Sequence, residues 1–190
     1  MKPHALLTVL ICHRTIWATA TFKINPTIVN NIYTLWKSLV PQLYTAYAYA
    51  NVVPELTFQA LPPPPRNATS PNSLGFAPTS APERDLVFLQ VVFHHTAANA
   101  TQGLTDTLKK FVGLFDGLAE DEGVKSQWLY LNFAAAFQDP MKGYGDQSLK
   151  KLRDVSSRYD PEGFFQTQTG GFKLWRGNKT ELESESESEW

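Results

Sequence analysis

Hydrophobic and polar positions along the chain follow two periods, and each change of period marks an element. Residues 15–24 mix Thr, Ile, Trp and Phe in a strand-like run, and Asn25-Pro26 then supplies a helix cap followed by proline at the first helical position. Ile28, Val29, Ile32, Leu35, Trp36, Leu39 and Val40 recur at steps of three and four, which predicts an amphipathic helix ending at Pro41. Residues 43–50 and 55–61 are aromatic and β-branched runs on either side of a turn-like 51–54, so two adjacent antiparallel strands are expected. Residues 85–95 are apolar from Leu86 to Phe93 except at Gln90, the composition of a strand covered on both faces and central in its sheet. Leu104, Leu108, Phe111, Phe115 and Leu118 predict a second amphipathic helix, broken by the polar cluster 120–123. Residues 128–133 then predict a strand, and Asp146 is expected to cap a helix carrying Leu149, Leu152 and Val155 that closes at Asp160-Pro161-Glu162-Gly163.

This order implies an α+β fold, an antiparallel sheet with helices on one face. The other sheet face is expected to stay free for a partner domain, a ligand or a second subunit. Residues 62–83 begin with four consecutive prolines, Pro62 to Pro65, and predict a long surface excursion whose middle, 72–76, carries apolar residues able to dock.

Composition narrows the classes. The 190 residues are 43% hydrophobic, enough for one sizeable core, and the net charge of -1 carries no electrostatic footprint for nucleic acid. Residues 1–18 outline a weak secretory leader, with Lys2 before an apolar run and Ala18-Thr19-Ala20 after it, but His13, Arg14 and Trp17 interrupt the pattern. The apolar run is too short to span a bilayer, so no membrane partner is expected, and the compartment, cytoplasmic or secreted, stays open. Secretion would make sequons at Asn67, Asn99 and Asn178 usable. The Glu/Ser tail, residues 176–190, is too polar to repay its ordering and is expected to be disordered. The single cysteine, Cys12, excludes a disulfide framework and is expected to be an inert thiol.

No glycine-rich phosphate loop, nucleophile elbow or zincin motif occurs in the chain. His94 and His95 are neighbours on a strand and point to opposite faces, so they cannot share a metal, and no metal site is expected. A strand at 128–133 would project Tyr130 and Asn132 side by side from one face, a phenol beside a carboxamide. Such a pair can touch a polar ligand; the phenol serves as a base only where a neighbour lowers its pKa.

The string Tyr130-Leu-Asn-Phe, the Gln138-Asp-Pro and Tyr144-Gly spacing, Arg158-Tyr-Asp-Pro-Glu-Gly-Phe-Phe-Gln and Gly170-Gly-Phe-Lys173 closely resemble the carboxy-terminal end of fungal FAD-linked oxidoreductases. These belong to the berberine bridge enzyme-like branch of the vanillyl-alcohol oxidase superfamily. The resemblance implies that residues 19–175 form a substrate domain and carboxy-terminal return, with 128–173 the strongest part. It gives Tyr130 the role of candidate base and Asn132 that of a substrate contact, with Asn132 also facing the cofactor if a flavin-binding domain is supplied. Gln90, on the central strand, is a further candidate substrate contact. Phe133 stands where many members have a second tyrosine.

Family members carry a whole FAD-binding domain before this region, and no counterpart precedes it in this sequence. The resemblance therefore implies a truncated, substrate-binding half that acts on a small organic metabolite only with a separate FAD-binding domain, the chain being either a truncated gene product or the partner of a separate FAD-binding chain. Alone it is expected to bind no FAD and to self-associate through faces left uncovered. A flavin-independent ligand-binding or cyclisation domain and a non-functional gene remnant are the competing expectations.

Overall fold

The computed structural model describes residues 14–61 and 86–174. Cys12, the excursion at 62–83, the acidic tail and the sequons at Asn67 and Asn178 lie outside the described residues. The elements run β1 (Arg14–Lys23), α1 (Pro26–Ala46), β2 (Val53–Leu61), β3 (Leu86–His95), α2 (Thr101–Asp121), α3 (Asp146–Tyr159) and the short α4 (Phe164–Thr167). The result is α+β, with one antiparallel sheet in the order β1-β3-β2 and β3 in the middle.

The core lies on one side of this sheet. Ala18, Ala20 and Phe22 of β1 and Val87, Leu89, Val91 and Phe93 of β3 meet Ile28, Ile32 and Trp36 of α1 and the buried stripe of α2. Trp36 stands edge-on to Phe111 at 5.9 Å and stacks near Phe93 at 6.5 Å. Each large side chain buried here contributes about 1.5–3 kcal/mol relative to exposure. Extended Asn25 caps α1 by accepting a 2.8 Å hydrogen bond from Thr27 N–H.

Four sequence expectations are corrected. Helix α1 does not stop at Pro41 but carries it inside and continues to Ala46, so 43–50 is the last helical turn and a 3-10 turn, not a strand. Leu43 extends the apolar stripe and is buried, which offsets much of the proline cost of about 3 kcal/mol. Strand β2 accordingly pairs with β3, from Val53 against His94 to Leu61 against Leu86. The run 128–133 forms no strand: Leu131–Phe133 is a 3-10 turn entered from extended Tyr130. Its aromatic residues pack on the sheet face instead of extending its edge.

Asp146 is the first residue of α3 rather than its cap; Gly145, with φ of 82°, holds the cap position. Just before it, Gly143 lies so close to the carbonyl of Gln127 that any Cβ would collide with it. That contact ties the turn at 142–144 to the 126–128 segment. Segments 124–126 and 135–138 also close the outer edge of β1. Gln138 accepts from Thr19 N–H at 3.0 Å and donates to Thr19 C=O at 2.6 Å, Ser126 N–H reaches Thr21 C=O at 3.0 Å, and Lys23 N–H reaches Val124 C=O at 2.8 Å. An edge satisfied in this way is closed to further strands. No helix among the described residues is long and apolar enough to cross a membrane.

Candidate functional site

The period of two sends Phe88, Gln90, Val92 and His94 of β3 to the face opposite the helices. That face is not free along its whole length. At one end Tyr130 stacks on Phe88 at 5.0 Å, Phe133 lies 5.8 Å from the same ring, and Trp128 is 6.0 Å from Tyr130. Toward β2 the face is open, with Glu55, Thr57 and Gln59 exposed.

Tyr130 and Asn132 meet as expected, but through the 3-10 turn rather than a strand. Asn132 Nδ2 donates to Tyr130 Oη at 3.1 Å, and this pair is exposed. Gln90 sits two residues beyond Phe88 on the same face, half-buried and paired in register with Thr19 and Thr57. Phe88, Tyr130 and Phe133 thus form an aromatic cluster with Asn132 bonded to its phenol, and Gln90 lies on the same sheet face as Phe88. Neither an ion pair nor a cation–π contact among the described residues involves Tyr130. Burial pushes the nearby Tyr144 phenol above its ordinary value, and Tyr130 adds to the effect. Phe88 is buried beneath these rings, and the patch presents half-buried Tyr130 and Phe133 with the phenol and the Asn132 carboxamide as hydrogen-bonding groups at its rim.

Register also assembles what periodicity left unread. His95 points into the core, fully buried, with Nδ1 at 3.0 Å from the Ala97 carbonyl. His94 points outward, with Nδ1 at 2.9 Å from Thr15 Oγ1 and Nε2 at 3.5 Å from Glu55. The aromatic partners Phe88 and Trp128 were likewise missed; only the pairing of distant segments brings them to Tyr130.

A cofactor as large as FAD needs a pyrophosphate cradle as well as a ring platform. Two glycines with positive φ, Gly145 and Gly163, stand at helix starts among the described residues. The α3 start places the Asp146 carboxylate in its first turn, which repels phosphate, and α4 is a single turn. Neither helix start among the described residues therefore forms a pyrophosphate cradle.

Part of the chain is similar to fungal FAD-dependent monooxygenases. It is 52% identical over 50 residues to one from Aspergillus calidoustus, covering 26% of this chain and 10% of that protein. Another, from Emericella nidulans, is 45% identical over 62 residues, 32% of this chain and 13% of that protein. A third, from Arthrobotrys oligospora, matches at 25% over 155 residues, 82% of this chain and 29% of that protein. The matched region thus spans between a tenth and three tenths of these relatives' lengths. No family model matches the chain. No solved structure matches it. These similarities support a relationship to FAD-linked enzymes.

Proposed function

We propose that this chain is the substrate-facing, carboxy-terminal part of an FAD-linked oxidoreductase of the berberine bridge enzyme-like type, acting on a small organic metabolite. The observation that carries the reading is the similarity to fungal FAD-dependent monooxygenases, to which the resemblance on Tyr130-Leu-Asn-Phe and the segment at 158–173 is added. Bound flavin, held by a flavin-binding domain, would provide the redox chemistry. This chain's part is shape and orientation: the aromatic cluster positions the metabolite, Gln90 and Asn132 hold its polar atoms, and Tyr130 Oη, already accepting from Asn132, is placed to exchange a proton with it.

The docking side for the flavin-binding domain is the carboxy-terminal segment. Tyr159 is 74% exposed and Phe165 63%, with Phe164 and Val155 beside them. The backbone beneath is stiff. The Asp160 carboxylate accepts from Phe164 N–H at 2.7 Å and Phe165 N–H at 2.9 Å, while Lys173 Nζ closes on the carbonyls of Phe165 and Thr169. Exposed rings on a rigid base are the usual anchors of an interface, and without that partner they favour self-association.

Co-expression with the flavin-binding portion of the Aspergillus calidoustus relative tests the reading. Oxidation of substrate is expected only with both chains, and Tyr130→Phe is expected to lower kcat by about 100-fold while leaving KM within a few-fold, as for a group acting on a proton in the transition state. A loss confined to KM would make Tyr130 a binding residue only.

A further inference from the structure

We propose that Thr15, His94 and Glu55 form a second, separate site, in which the Thr15 hydroxyl accepts acyl groups from activated carboxylic esters. Antiparallel register builds it. Thr15 of β1 is the direct cross-strand partner of His94, and Val53 of β2 is the partner on the other side, so Glu55, two residues further along β2, lies diagonally on the same face. One hydroxyl, one imidazole and one carboxylate thus form a row across the three strands.

In the His94 tautomer with its proton on Nε2, on the side of Glu55 at 3.5 Å, Nδ1 is the acceptor for the Thr15 hydroxyl at 2.9 Å. That is the arrangement of a nucleophile, its base and the group that orients the base. The nucleophile is accessible: Thr15 is exposed, while the His94 side chain keeps 34% of its surface and Glu55 53%. The other charged clusters are already engaged. Lys125 is shared between Asp116 and Glu120, and the Lys173 ammonium is spent on backbone carbonyls.

In the reaction, Thr15 Oγ1 attacks the ester carbonyl carbon and its proton passes to His94 Nδ1. The bond from carbonyl carbon to the leaving oxygen then breaks, and that oxygen takes the proton from Nδ1 and departs as the alcohol. Thr15 is left as an ester, which water cleaves by the same route, releasing the acid and restoring the hydroxyl.

The test treats the full chain with p-nitrophenyl acetate, following p-nitrophenol release and mapping acetyl groups by peptide mass spectrometry. Acetylation at Thr15 is expected, abolished by Thr15→Ala, retained by Thr15→Ser, and slowed about 100-fold by His94→Ala, the usual worth of a general base. Glu55→Gln, which keeps the strand pairing, is expected to slow it about tenfold and serves if the histidine variant fails to fold. Acetyl groups confined to lysines would overturn the proposal. So would labelling of Thr15 at an unchanged rate in both His94→Ala and Glu55→Gln, since the row would then be only a fastening between strands.

Discussion

The two faces of β3 are built on different principles. Toward the helices, Leu89, Val91 and Phe93 are wholly buried in a continuous apolar layer closed by α1 and α2. On the opposite face the cover consists of 3-10 turns and single side chains, with stacked rings at Phe88 and a polar row at His94. α3, which follows, buries none of its residues. The continuous apolar layer thus lies on the helix side, while the buried outer-face residues Leu86, Phe88 and Val92 are covered piecemeal.

This contrast can be broken most severely from the core. Phe93→Ala empties a site bounded by Trp36 and Phe111 and is expected to cost about 3–5 kcal/mol, read from urea unfolding midpoints. Tyr130→Phe on the opposite face keeps the ring stack and loses one exposed hydrogen bond, so its cost should stay below about 1 kcal/mol. Equal losses in the two variants would erase the distinction between the faces.

Gln138→Ala comes next. It removes the side chain that bonds both backbone groups of Thr19 and accepts from Ala135 N–H at 2.9 Å. A loss of about 1–3 kcal/mol is expected, as for exposing partly buried backbone groups without a partner. Hydrogen exchange should show faster opening at Thr19, with β3 unaffected.

The elements legible in the sequence were those whose pattern is enforced by the helix-side core. The α1 stripe, the α2 stripe and the continuous run of β3 all report burial against the same layer. The misread elements lie where local pattern and tertiary packing disagree. Residues 43–50 look strand-like, yet Leu43 keeps the helical stripe going past Pro41. Residues 128–133 alternate like a strand, yet β1's edge beside them is already filled by Val124, Ser126 and Gln138, so the run turns and lays its rings on Phe88. Tyr130, Asn132 and Gln90 could be proposed from periodicity and resemblance. The stacking of Tyr130 on Phe88, and the row at His94, depend on pairings between distant segments that no single segment encodes.

The smallest effect sharpens the comparison at α2. Burial raises the Asp116 carboxyl above its ordinary value, and Lys125 only partly opposes this. A raised carboxyl favours the fold at pH below its unfolded value and penalises it as pH rises through the folded one. Asp116→Asn is therefore expected to raise the thermal midpoint slightly at neutral pH, with the gain vanishing in acid below about pH 4. A gain that grows in acid would reverse the sign of this account.

The central proposal is that the outer face meets a flavin held by a flavin-binding domain. Hydrogen exchange on this chain, alone with FAD and then co-purified with an FAD-loaded flavin-binding chain, tests it most directly. The account predicts no change with FAD alone, and slower exchange at residues 128–133, around Gln90 and at 159–165 once the flavin-binding chain is present. Stoichiometric FAD binding by the isolated chain, or protection confined to α1 and α2, would contradict it.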